Sequence, residues 1–187
     1  MRLDHIAYRV KDRESAVRFF QEAFGYTIQA EFDIQLEDGS TARCMALEPP
    51  EKSRVREQTG EAEPAFLGPM GYHLAPEIFV SSGPPGSLID RWVDAWGRGV
   101  GAVHHMAYQV DSVEQTMRDW KAKGWLFTTE EPLGCDDLTQ VFTQPNPLTG
   151  VIYEFIERKG QHGFCKDNVA KLMQSTAHLS GPTTAAG

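Results

Sequence analysis

Leu3-Asp4-His5-Ile6-Ala7-Tyr8-Arg9-Val10 and Val103-His104-His105-Met106-Ala107-Tyr108-Gln109-Val110 lie one hundred positions apart and share histidine, alanine, tyrosine and valine in register. The correspondence continues without a gap, Glu14 against Glu114 and Arg18 against Arg118, and Gly25-Tyr26 is soon echoed by Gly124-Trp125. Self-similarity of this kind marks a duplicated supersecondary unit, and it organises the rest of the chain.

Each copy opens with a period-2 strand. His5, Ala7 and Arg9 share one face in the first copy, as His105, Ala107 and Gln109 do in the second. The apolar set Ile6, Tyr8 and Val10, or Met106, Tyr108 and Val110, takes the other face and should pack on a helix. A helical stripe follows at once in both copies. Ala16, Val17, Phe20 and Phe24 form the first, between Asp12 as N-cap and Gly25 as C-cap. Val113, Met117 and Trp120 form the second, with Ser112 and Gln115 at capping-box spacing and Gly124 as the stop. Strand-like runs come next, at 27–34, 42–47 and 77–80, then at 126–129, 139–143 and 151–156.

The predicted fold is therefore α+β. Two β-α-β-β-β modules, residues 1–98 and 99–174, form a concave mixed sheet around a metal site, with a helix at the C-terminal end. Residues 87–96 read as a linking helix with Leu88, Trp92 and Trp96 on its stripe, and 49–70 reads as a long loop with the composition of a surface insertion or a lid. Residues 175–187, rich in Ser, Thr, Ala, Gly and Pro, read as a disordered tail.

Composition narrows the partners. The 187 residues are 41% hydrophobic and 24% charged, a globular balance, and the net charge of −8 comes without any Lys/Arg cluster. Nucleic acid, which requires a basic stripe, is thereby disfavoured, and a small molecule is the expected partner. No stretch has the length of a membrane span and the N-terminus has no signal-like apolar region, so a cytoplasmic location is expected. Cys44, Cys135 and Cys165 show no pairing or zinc-type spacing and read as inert thiols.

His5 and His105 occupy equivalent positions on the faces turned away from the helices, so a pseudo-twofold pairing of the modules brings both imidazoles into one concavity. His104 is the alternative to His105, but alternation places it on the helix-packed face. The last strand of each module supplies a carboxylate in an apolar setting, Glu77 in PEIFV and Glu154 in YEFI. An ionised glutamate there is costly unless paired or bound to a cation. Two imidazoles and one carboxylate make the facial set favoured by non-haem Fe(II).

These residues carry a resemblance. LDHIAYRV with AVHHMAYQV, and a chain built of paired β-α-β-β-β modules, resemble the vicinal oxygen chelate superfamily (glyoxalase, bleomycin resistance and extradiol dioxygenase proteins) over residues 3–172. The second half is similar to the catalytic domain of 4-hydroxyphenylpyruvate dioxygenases, through QVFTQPNPLTGVIYEFIERKGQHGFCKDNVAKL at 140–172. That likeness implies His5, His105 and Glu154 as iron ligands, Gln140 orienting substrate and Phe164 closing the pocket. Ser81 or Ser82 stands where those enzymes carry an asparagine, and their additional N-terminal half has no counterpart here. Glu77, as a fourth ligand, is similar instead to the four-ligand sites of glyoxalase I and methylmalonyl-CoA epimerase, and the segment GAVHHMAYQVDSVEQTM is similar to the epimerase.

Two activities follow from the resemblance. One is an Fe(II) dioxygenase acting on a small 2-oxo acid. The other is an isomerase or lyase in which Co, Ni, Mn or Zn polarises a carbonyl while Glu77 or Glu154 moves a proton. A metal-free small-molecule binder is a third class. Members pair their modules within one chain or exchange them in a homodimer, and the resemblance is compatible with both.

Overall fold

The computed structural model describes residues 1–50, 75–135, 138–159 and 166–179. Phe164, Cys165 and residues 51–70 of the expected loop lie outside these residues.

Five described elements of the first module follow the expectations closely. Strand β1 (Arg2–Val10) leads into helix α1 (Arg13–Phe24), whose N-cap Asp12 accepts the Ser15 amide at 2.9 Å. The helix stops at Gly25, whose φ of 72° is open to glycine at little cost and lets its N–H return to the Gln21 carbonyl. Strands β2 (Thr27–Gln35), β3 (Thr41–Glu48) and β4 (Glu77–Ser82) complete the module. Helix α2 (Leu88–Trp96), capped by Ser87, links it to the second.

The second module runs β5 (Gly101–Gln109), α3 (Val113–Ala122), β6 (Leu133–Gly134), β7 (Leu138–Phe142) and β8 (Ile152–Arg158), followed by α4 (Lys166–Ser175). The strand expected at 126–129 does not form. Trp125 turns in to stack on Trp120 at 4.7 Å, and Phe127 keeps a single bridge to Thr143. Pro132 lacks an amide proton, and regular pairing begins only after it, in the two-residue β6. The expected tail is also corrected at its start: Ser175 belongs to α4, Thr176 is buried, and Ala177–Leu179 is a 3-10 turn. Leu179 is held by Trp96, which lies half exposed at the end of the α2 stripe and donates Nε1–H to the Leu179 carbonyl at 2.7 Å.

All eight strands form one curled mixed sheet in the order β2-β3-β4-β1-β5-β8-β7-β6. The modules meet where β1 and β5 pair antiparallel, and the pseudo-twofold axis passes between them. Convex-face packing matches the alternation: Ile6, Tyr8 and Val10 meet Val17 and Phe20 of α1, while Tyr108 and Val110 meet Val113, Met117 and Trp120 of α3. Phe24 instead lies on the surface beside Phe19. On the concave side, α2 and α4 close over the sheet, with Leu172 against Phe142 and Ile152, and Met173 in the cluster of Ala7, Phe79 and Trp92.

The β1/β5 seam tolerates no added bulk. A Cβ on Gly101 would stand 2.7 Å from Val10 Cγ1 and 2.9 Å from the Arg9 carbonyl oxygen. Gly101→Ala is therefore expected to destabilise the protein by about 1–3 kcal/mol, the range for overpacking. Urea unfolding that leaves the midpoint unchanged would refute this account of the seam.

Candidate metal centre

Pairing across the seam contains two irregularities related by the pseudo-twofold. The register passes from Leu3↔Tyr108 to His5↔Ala107, leaving Asp4 as an extra residue, and from Ala7↔His105 to Tyr8↔Val103, leaving His104 as its counterpart. A bulge re-aims the side chains beside it. Asp4 and His104 are thus both drawn in beside the histidine that follows each of them. Asp4 Oδ1 accepts from His5 Nδ1 at 2.8 Å, and His104 Nδ1 lies 2.8 Å from His105 Nδ1. The expectation that His104 sits on the helix-packed face is corrected: it is buried on the concave side, its ring against Trp92, His105 and Phe142.

These contacts decide where the imidazole lone pairs point. With Nδ1–H of His5 given to Asp4, its Nε2 is left as an acceptor. With Nδ1–H of His105 given to His104, the same holds there, and His104 keeps its proton on Nε2. The two acceptor nitrogens converge with a carboxylate. His5 Nε2 and His105 Nε2 are 3.2 Å apart, and Glu154 Oε2 lies 3.3 Å from the first and 3.1 Å from the second. Bonds of about 2.1 Å meeting at right angles would hold donors about 3.0 Å apart, and tetrahedral angles about 3.4 Å. The triangle lies between these values, all three side chains are buried, and the donor set suits a divalent first-row ion. The residues fit the metal.

Without a cation the site relies on protons. Burial pushes the His5 imidazole down, but Asp4 and Glu154 outweigh it and hold the group up to about 9. Burial would raise Glu154, but the hydrogen bonds from His105 and His5 bring it down to about 2. Burial lowers His105, and it lowers His104 well below the usual range, helped there by the charges of Arg9 and His105. Asp4 is held ionised against its burial by His5 and by Arg158, which reaches it through two contacts of 3.0 and 2.7 Å.

Glu77 does not join this group. It pairs in register with His5, whereas Ala7 pairs with Phe79, and in the second module Ala107 pairs with Glu154. The position equivalent to Glu154 is thus occupied by Phe79, and Glu77 corresponds to Ile152. A two-residue offset along β4 brings its charge to bear on Arg158, and the group that could hold a metal consists of His5, His105 and Glu154 without it. Two further expected residues, Gln140 and Ser81, line the concavity. Gln140 is buried with its Nε2 facing no partner, and Ser81 lines the same pocket with its hydroxyl donated to the Tyr8 carbonyl at 3.3 Å. The pocket, about 430 Å³ counting its open mouth, is walled by Phe79, Phe142, Val169, Leu172 and Met173. Away from the site, burial pushes the Cys44 thiol up to about 12, in keeping with an inert role.

A family model described as the glyoxalase/bleomycin resistance protein/dioxygenase superfamily matches residues 4–142. The chain belongs to this superfamily, the vicinal oxygen chelate proteins. No curated protein matches the sequence. Among solved structures, a triple mutant of 4-hydroxymandelate synthase from Streptomyces coelicolor superposes with a TM-score of 0.70 at 18% identity, over 95% of this chain and 54% of that one. The chain thus spans about half the length of that synthase. A methylmalonyl-CoA epimerase gives 0.58 at 23% identity, covering 86% and 97%, and the epimerase of Mycobacterium tuberculosis 0.57 at 19%, covering 84% and 88%. These likenesses show the fold. Superfamily members are mostly metal-dependent enzymes, and the His5-His105-Glu154 group of this member can hold a divalent ion. Among the described residues no helix is long and apolar enough to cross a membrane.

Sequence reading gave no role at this site to Asp4 or Arg9, and it weighed His104 only as an alternative metal ligand. Asp4 and His104 were hidden because strict alternation assigns them to the wrong face, and only the bulges reverse that. Arg9 carried a signal, a charge sharing a strand face with His5 and Ala7.

Two measurements bear on the centre. Asp4→Asn removes the carboxylate that orients His5 and should weaken divalent-metal affinity by about 10–100-fold, as loss of such outer partners does. Competition with a chromophoric chelator reads this directly, and an unchanged affinity would refute the role. In wild type a metal must displace the proton that His5 retains below about pH 9. Affinity should therefore climb with pH, by about tenfold per unit for one displaced proton, and level off above pH 9. A flat profile between pH 6.5 and 9 would contradict the protonated metal-free state.

Proposed function

We propose that the protein is a non-haem Fe(II) dioxygenase acting on a small 2-oxo acid. The observation that carries this reading is the register of β4, which puts Phe79 where a fourth ligand would stand and leaves a facial set of two histidines and one glutamate. Bound in that set, Fe(II) would supply redox chemistry toward dioxygen and about three open positions for ligand oxygens.

The rest of the work falls to the chain itself. Asp4 and His104 hold the two imidazoles in the tautomer that turns Nε2 inward. Phe142, its ring 4.7 Å from that of His105, joins Phe79, Leu172 and Met173 in excluding water, which suits a reaction that must avoid idle reduction of dioxygen. Gln140 presents a buried amide donor to a substrate oxygen. The balance is one 2-oxo acid and one dioxygen giving carbon dioxide and an acid one carbon shorter, with one added hydroxyl oxygen. A glyoxalase- or epimerase-type reaction calls for a fourth ligand, and the placement of Glu77 away from the triad weighs against it.

Oxygen-electrode assays on protein loaded with Fe(II) under ascorbate, across aryl-pyruvates and aliphatic 2-oxo acids, should show uptake with one carbon dioxide released per dioxygen consumed. His105→Ala should abolish both uptake and metal retention. The reading is overturned by no uptake with any acid of the panel together with solvent-deuterium exchange beside the carbonyl under Co(II).

A further inference from the structure

At the end of the pocket away from Gln140 lies a buried cation that the chemistry above does not use. Arg9 stands on the concave face of β1, four residues beyond His5 and in register with Ser81. It is only 2% exposed. Its guanidinium lies over the Trp92 ring at 5.5 Å, and Nη2 donates to Thr176 Oγ1 at 3.2 Å, while Nη1 is buried with no partner. No carboxylate among the described residues pairs with it. The same Trp92 ring also meets His104, at 5.2 Å between ring centroids, whose Nε2 is likewise buried and unpartnered. Once His104 accepts from His105 through Nδ1, that Nε2 is a donor. Two orphaned donors, one carrying a full charge, meet a single indole and line the same cavity as the metal ligands.

A buried cation of this kind is costly unless a counter-charge arrives, and none of the described residues supplies one. Burial also pulls the guanidinium down to about 9, the direction expected of an uncompensated charge. An acceptor-rich anion is the ligand that would satisfy both donors, and a guanidinium matches the planar geometry of a carboxylate.

We infer that Arg9, with His104 beside it, is a receptor for a second anionic group of the substrate, so that the substrate class is a 2-oxo acid with a carboxylate at its far end. The inference rests on the proposed function for its near end, where the 2-oxo acid group meets the His5-His105-Glu154 centre. The far end is specified by Arg9 and His104, independently of the near end. A monoacid, or an acid ending in a neutral phenol, leaves the guanidinium uncompensated.

The test is anaerobic calorimetry on the full chain loaded with Ni(II), a redox-quiet stand-in, so that binding is read without turnover. The probes are matched pairs that differ only at the far end: 2-oxoglutarate with 2-oxopentanoate, 2-oxoadipate with 2-oxohexanoate, and 4-carboxyphenylpyruvate with phenylpyruvate. At one spacing or more the diacid should bind at least tenfold more tightly than its monoacid partner. In Arg9→Met that ratio should fall to near one, and Arg9→Lys should restore part of it. A wild-type ratio near one in every pair overturns the inference without recourse to any variant, as does a preference that survives Arg9→Met. Thermal unfolding adds a readout: an Arg9 that serves only to hold Trp92 and Thr176 would lose stability on mutation to Met with no change in the ratio, and that result also overturns it. Chelator-stripped protein separates the two readings. Unchanged diacid affinity after stripping refutes the chelate at the near end, whereas the Arg9 dependence reports on the far end alone.

Discussion

Everything at the centre depends on the antiparallel pairing of β1 with β5 and on the two bulges that interrupt it. The pairing sets His5 and His105 across the pseudo-twofold from each other, and the bulges add one residue beside each. That added residue is Asp4 in one module and His104 in the other, and both engage Nδ1 of the histidine that follows. Duplication has thus repeated a geometric device while its chemistry diverged. One module orients its ligand with a carboxylate anchored by Arg158, the other with a neutral imidazole. The divergence leaves a donor on His104 facing the cavity and none on Asp4, so the pocket is asymmetric around a nearly symmetric metal position.

The electrostatics of the cavity are those of a site completed from outside. Glu154, His5 and His105 stand within 3.3 Å of one another in the interior, and the carboxylates of Asp4 and Glu154 hold the His5 imidazole up to about 9 against its burial. Arg9, His104 and Gln140 each keep a buried polar atom without a partner. Unmade hydrogen bonds cost about 1–3 kcal/mol apiece in a protein interior, and more for a charge. Folding alone gives no reason to retain three of them in one pocket. A cation at the triad and an acceptor-rich ligand beside it would satisfy them together, and the apolar walls from Phe79, Phe142 and helix α4 would make each contact stronger by excluding water.

Register along β4 decides which of its side chains lies at the depth of Glu154. A shift of two residues preserves the face on which a strand side chain lies, so Glu77 and Phe79 are equivalent by alternation. They differ in depth along the strand by about 7 Å, taking 3.4 Å per residue. The deeper position matches that of Glu154 in the second module, and Phe79 occupies it. Its apolar ring lines the pocket there.

The repeat was legible because duplicated strands preserve period-2 alternation, and His5, His105 and Glu154 could be chosen from it together with the family likeness. Helix α1 with its Asp12 and Gly25 caps, and α3 with Ser112, were legible because capping is local chemistry. The strand expected near 126 was not, since Trp125 and Pro132 act through tertiary packing and a missing donor rather than through periodicity. Nor were the places of His104 and Glu77. Bulges and strand register depend on how two strands hydrogen-bond, and no single strand encodes its partner's alignment. By itself, then, the sequence determined the two modules, their amphipathic faces and which residues could ligate a metal. Tertiary structure alone decided which of them meet, because three donors converge within 3.3 Å only after the seam has paired, bulged and curled.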